Sequence, residues 1–176
     1  MSSVSIDDVK TALTAAAFVV SLVSLYFTRV NWVQSNRPVV SAFITEHSSG
    51  NTAATFSLVV SNTGSRPAVR VRLHASSEAI RRLVDEGADP HKFKLIESNF
   101  LAQSEIPLLR NGEELSTSFG AFSRLSIEGP WLRYGIEIEI SVSYCDLDGR
   151  KYESRQPLKV FAREGFGGGV WANAGT

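Results

Sequence analysis

The sequence is poor in the residues that most often announce a chemistry. Among 176 residues there is one cysteine, Cys145, and only three histidines. A single cysteine excludes an intramolecular disulfide and any multi-thiolate metal centre. His47, His74 and His91 are scattered and lack the C-x-x-C or H-x-x-x-H spacing that converges ligands on zinc. No metal and no cofactor are therefore expected. An excess of one charge is also missing, because 18 Lys and Arg balance 18 Asp and Glu. Without a net field there is nothing to draw the chain to nucleic acid, and no nucleic-acid partner is expected.

Catalytic constellations are equally thin. Glu137 and Glu139 could pair like glycosidase carboxylates, but alternating Glu on a strand reads as the solvent face of a sheet. Asp146-x-Asp148-Gly149 starts like a calcium loop. It lacks the later oxygen ligands and the distal Glu, and Lys151 occupies the next stretch. A hairpin turn explains it better. Cys145 has no base at a recognisable spacing and reads as structural. Gly165, Gly167, Gly168 and Gly169 have no flanking strand, helix or Lys-Ser/Thr, so they make no phosphate loop. No enzyme activity and no small-molecule substrate are expected.

One long apolar run is present. Residues 11–28, TALTAAAFVVSLVSLYFT, contain no charge, proline, glycine or histidine. As a helix they would extend roughly 27 Å, close to a bilayer's hydrocarbon thickness. The apolar side chains surround the helix instead of forming a stripe, which calls for lipid or a large core. The acidic start MSSVSIDD and the absent small-residue cleavage site argue against a cleaved signal peptide. Thr11, Phe18, Leu22, Leu25 and Thr28 are thus read as membrane-spanning, with Tyr26 and Trp32 near the interface. Lys10 before the run and Arg29 and Arg37 after it favour a cytoplasmic soluble domain, by a small margin. Ala12, Ala16, Ala17, Ser21, Ser24 and Thr28 offer small or hydroxyl positions that could pack helices together. Membrane lipid is the first expected partner.

After Pro38 the apolar period shortens to two, the signature of strands. Candidate strands cover residues 39–47, 54–62, 68–75, 105–109, 114–122, 136–144 and 151–161. Val69, Val71 and Leu73 alternate with Arg70, Arg72 and His74, giving one apolar and one basic face. Residues 76–86 read as one inserted helix, capped by Ser76 or Ser77 and stopped by Gly87 and Asp89-Pro90. Residues 91–103 read as a short strand or a packed loop, and the chain through Glu128-Gly129-Pro130 as a loop. About seven strands with hairpin spacing predict an antiparallel β-sandwich. The expected divisions are a tail (1–10), a transmembrane helix (11–30), a linker (31–38), the sandwich (39–163) and a flexible glycine-rich tail (164–176).

The run LVVSNTGSRPAVRVRL, with Asn62, Gly64, Pro67 and Ala68, resembles the N-x-G-x-x-P-A element of bacterial immunoglobulin-like domains of the cell-adhesion-related type. Leu109-Arg110-Asn111-Gly112-Glu113 is similar to that family's L-x-P-G-E turn, with Asn111 in place of proline. Tyr144 to Tyr152, YCDLDGRKY with Asp148 and Gly149 at the turn, resembles its final hairpin. The resemblance covers about a quarter of the chain. It implies an immunoglobulin-like sandwich that binds or scaffolds, and structural turn roles for Asn62, Gly64, Pro67, Asp148 and Gly149.

The expected function is a non-enzymatic, single-pass membrane-anchored interaction or scaffold module that holds a protein partner or another copy of itself. Its expected contact residues are Arg66, Arg70 and Arg72 on the basic strand face, near Arg81 and Arg82, and Phe166 and Trp171 in the tail. Two alternatives share the same architecture. One is a membrane effector or pore-forming subunit whose helix oligomerises under a β-sandwich sensor. The other is a pilin-like subunit, although the processing site and the early Glu of the apolar run are missing.

Overall fold

The computed structural model describes residues 6–49, 53–123 and 131–160. The chain divides into two units at the Arg37–Pro38 junction. The first contains α1 (Ile6–Ser35), and residues Val9–Ser35 form one helix long and apolar enough to span a membrane. It runs well beyond residues 11–30 because nothing between Ile6 and Ser35 breaks a helix, and Pro38 is the first residue that does. Leu13, Phe18, Val20, Leu22, Leu25 and Phe27 are all exposed. The hydroxyls of Thr11, Thr14, Ser21 and Thr28 each donate to the carbonyl four residues earlier, at 2.8–2.9 Å.

The second unit is a mainly-β, two-sheet antiparallel sandwich of seven strands. One sheet has the order β1 (Val40–Ser49), β2 (Ala53–Asn62), β5 (Glu114–Ser123). The other has the order β4 (Ile106–Leu109), β3 (Ala68–His74), β6 (Glu137–Cys145), β7 (Lys151–Lys159). The period-two pattern sets the core. Ile138, Ile140, Val142 and Tyr144 of β6 are buried, while Glu137 and Glu139 face solvent. Val40, Ala42 and Ile44 of β1 and Phe56, Leu58 and Val60 of β2 close the core from the opposite sheet.

Two features depart from the expected pattern. Two helices are inserted after β3 where one was expected: α2 (Ser77–Leu83) and α3 (Pro90–Ser98). Residues 91–103 therefore contain most of a helix instead of a strand or packed loop. Asp89-Pro90, which reads as a stop signal, also starts the second helix. The Asp89 carboxylate accepts from the His91 amide at 2.7 Å, and Pro90 occupies the first turn, where its missing N–H costs nothing. Ile80, Leu83 and Ile96 bury these helices in the core, and Phe100 meets Phe119 edge-on.

The second departure is in β3. Arg70 has φ +55°, and the β3–β6 register shifts between Val69 and Arg72. This bulge inserts one residue into the alternation. Ala68, Val71 and Leu73 consequently face the core, and Val69 does not share the face of Val71.

One buried side chain ties both sheets at one end. Asn62 is fully buried at the end of β2. Its Oδ1 accepts from the amides of Val39 (3.1 Å) and Gly64 (3.0 Å). Its Nδ2 donates to the carbonyls of Arg66 (2.8 Å) and Leu109 (3.2 Å). All four hydrogen-bonding positions of the carboxamide are thereby used, on the entry to β1, the β2–β3 turn and the end of β4. Asn62→Ala should destabilise the domain by about 3 kcal/mol, since several buried polar groups lose their partner together. Urea unfolding should show the lower midpoint, and a loss below about 1 kcal/mol would contradict this account of the tie.

Candidate functional site

The β2–β3 turn and the β6–β7 hairpin lie side by side, because β3 pairs with β6. In the turn, Gly64 and Pro67 lead the chain from Asn62 into β3. In the hairpin, Asp146 is buried and organises its own loop. Its Oδ1 accepts from the amides of Asp148 and Arg150, both at 2.9 Å, and its Oδ2 accepts from the Tyr152 hydroxyl at 3.1 Å. Gly149 sits at φ +80°, a conformation that glycine adopts without strain. The Asp146-x-Asp148-Gly149 run thus points its first carboxylate at the backbone. Among the described residues no group of three acidic, His or Cys side chains is arranged to hold a metal. Tyr152 stacks on Tyr144 at 5.5 Å, and burial, then donation to Asp146, push its hydroxyl above the ordinary value.

The three strand-face arginines have different surroundings. Arg66 Nη1 lies 2.6 Å from Asp148 Oδ2 and joins the turn to the hairpin. Arg72 places Nε at 2.7 Å and Nη2 at 2.5 Å from Glu105 Oε2, joining β3 to the chain entering β4. Arg70 is exposed on the bulge and has no ion-pair partner among the described residues. His74, which ends β3, meets the Ser143 hydroxyl at 2.9 Å through Nε2. Arg81 lies over the Phe93 ring at 5.8 Å. The expected basic face is therefore mostly composed of cross-links between elements, and the acidic partners come from distant parts of the sequence. Phe166 and Trp171 lie outside the described residues.

Shallow clefts mark the surface of the described residues. One of about 400 Å³ lies between β3, α2 and β6, with His74, Arg82, Glu139, Ser141 and Arg155 on its walls. One of about 450 Å³ lies against α2 and α3, with Arg81, Phe93, Lys94 and Glu97. A third, of about 160 Å³, opens between the sheets where Ile106 of β4 faces Leu115 and Thr117 of β5; Leu58, Val60, Val71 and Leu73 form its floor. Cys145, which ends β6, is half-buried and lies opposite Val69 of β3 and Lys151 of β7.

The chain matches the family described as Domain of unknown function (DUF8453) over residues 5–162. It belongs to this family. The match spans both the apolar helix and the sandwich. No curated protein matches the chain.

The sequence missed the sites where side chains replace backbone partners. Gln156 on β7 is the clearest case. Its Oε1 accepts from the Ala42 amide at 3.0 Å, and its Nε2 donates to the Val40 carbonyl at 2.8 Å. The carboxamide acts as a piece of strand against the edge of β1. No sequence signal marks a glutamine for that role.

The Arg66–Asp148 bond generates a pH dependence. Hydrogen bonding to Arg66, then its charge, holds the Asp148 carboxyl below its ordinary value of 3.8. Its stabilising contribution is complete above that ordinary value and is lost as the pH falls through the lower folded-state value. Asp148→Asn should therefore flatten the acid limb of stability against pH at and below the ordinary carboxylate range. Urea midpoints of both proteins, compared from neutral to strongly acidic pH, check this; parallel curves would contradict it.

Proposed function

We propose that this DUF8453 protein is a non-enzymatic, single-pass membrane-anchored binding module. α1 inserts in the bilayer, and the β-sandwich meets a protein partner at the membrane. The observation that carries this reading is the surface of α1. Its apolar side chains are exposed on all sides, and its Thr and Ser hydroxyls at 11, 14, 21 and 28 are satisfied within the helix. Those four hydroxyls make no further polar demand on hydrocarbon. The predominantly apolar surface supports an anchor over a pore-lining assembly.

The immunoglobulin-like assignment belongs to the same proposal. Lettering the strands in chain order, the sheets read A-B-E and D-C-F-G. The B–E and C–F–G neighbours of immunoglobulin sandwiches are present, with the fourth strand on the second sheet. Domains of this kind present turns and strand edges to partners, and the shallow clefts fit that use better than a small-molecule site does. The flanking Lys10, Arg29 and Arg37 favour the sandwich on the cytoplasmic side.

The anchor has a direct test. The full chain should stay in the membrane pellet after alkaline carbonate extraction. Phe18→Asp with Leu22→Asp should move it to the supernatant, because each acidic residue near the span's centre costs about 2.5–3.5 kcal/mol of insertion. Extraction of the unmodified chain by carbonate would reject the anchor. In a Cys145→Ser, Ala174→Cys chain, an impermeant maleimide should label only lysed cells, and labelling of intact cells would reverse the orientation.

A further inference from the structure

Edge strands expose a row of backbone donors and acceptors, and folded proteins protect them with charge, proline, shortness or a covering group. Three of the four sheet edges here carry such protection. β1 is covered at Val40 and Ala42 by the Gln156 carboxamide. β7 contains Pro157 and the basic residues Lys151, Arg155 and Lys159. β4 has only four residues, one of them Pro107. β5 differs. Residues 114–118, Glu-Leu-Ser-Thr-Ser, lie before the register shift at Phe119, include no Lys, Arg or Pro and carry one charge, Glu114, at their end; all five are exposed although their side chains alternate between faces. The chain between α3 and β4 reaches the opening through Asn99 and Ser104, which line it with Leu115 and Thr117.

The phase of the ladder shows which backbone groups are free. The Asn62 amide donates to the Glu113 carbonyl at 3.1 Å. In the antiparallel β2–β5 register, Val60 opposite Leu115 and Leu58 opposite Thr117 then exchange bonds. The intervening Glu114, Ser116 and Ser118 turn their N–H and C=O groups away from β2.

We propose that the occupant of this edge is β5 of a second copy of the chain, paired antiparallel about a two-fold axis at Ser116. The inference rests on the reading of the sandwich as a binding module and names its partner. The complementarity of the strand with itself carries it. Ser116 is the centre of the exposed stretch, so an axis there places Ser116 opposite Ser116 and Glu114 opposite Ser118. Every outward-facing N–H and C=O of these three residues gains a backbone partner. No two like charges oppose one another, and Leu115, which is 39% exposed, packs beside Thr117 of the other copy. The two three-stranded sheets become one continuous sheet, and neither β5 keeps an open edge. An isologous contact of this kind closes after two copies, so it does not propagate into a fibre.

The register supplies the test. Full-length chains carrying Leu115→Cys and Thr117→Cys, each in a Cys145→Ser background and with different tags, are co-expressed and the membranes mildly oxidised. A disulfide is expected between the two variants, because residues 115 and 117 face each other across the axis in a non-hydrogen-bonded pair, about 4.5 Å apart at Cα. Either variant expressed alone should give little dimer, since like positions are diagonal. Ser116→Lys leaves each sandwich folded, since this exposed side chain adds only charge, but it sets two ammonium groups together on the axis. It should weaken association of the detergent-solubilised full chain by at least about tenfold in sedimentation equilibrium.

Failure of the mixed disulfide to form, equal cross-linking in single-variant cells, or a dimer indifferent to Ser116→Lys would each overturn the pairing. Absence of the cross-link in a chain that still resists carbonate would leave the anchor standing. A cross-linked chain released by carbonate would leave the pairing standing and remove the anchor.

Discussion

The carboxamide of Asn62 is the constraint on which the sandwich depends. Two sheets can slide over an apolar core at little cost, because dispersion contacts are non-directional. A buried amide with four partners cannot move without leaving several polar groups unpaired. Asn62 holds the start of β1, the β2–β3 turn and the end of β4 at one point. The Gly112 amide adds a bond to its backbone carbonyl at 2.8 Å. At the same end of the domain, Tyr144 donates to the Pro38 carbonyl at 3.3 Å, and Asp146 closes the last hairpin. The turns at this end are therefore rigid through polar contacts, while the interior is held by apolar ones.

The remaining organisation concerns edges. A seven-strand sandwich split three and four leaves four edge strands, and each is a route to association. Gln156 closes one by imitating backbone, proline and charge restrain two, and β5 keeps an unguarded stretch beside an opening in the core. Ion pairs such as Arg72–Glu105 and Arg133–Glu86 link neighbouring elements at the surface. Consequently the exposed strand edge is a more specific surface than the arginine-rich strand.

Much of this was legible in the chain. The alternation in β6 marked Ile138, Ile140 and Val142 as core, and the Asn-x-Gly and Asp-Gly dipeptides marked turns. Signals with a double meaning were read in one sense only. Asp89-Pro90 reads as a stop, yet the first inserted helix already ends at Leu83 and this pair begins the second, since the same residue types suit a stop and an N-terminal first turn. Arg70 gave no sign of a bulge, because a non-glycine residue at positive φ is held there by pairing with β6 instead of by its own propensity. The arginines of β3 and its preceding turn looked like a basic face because Asp148 and Glu105 lie 82 and 33 residues from Arg66 and Arg72, respectively.

By itself, the sequence determined the elements whose cause is local. These are the long uninterrupted apolar helix and the period-two strands with their turn residues. The tertiary structure decided what depends on distant partners. It paired the arginines, put the Gln156 amide against β1, displaced Val69 from the core face through a bulge, and left one strand edge open. The physical reason is that burial periodicity is written in neighbouring residues, whereas hydrogen-bond satisfaction and edge protection depend on which strands the fold brings together.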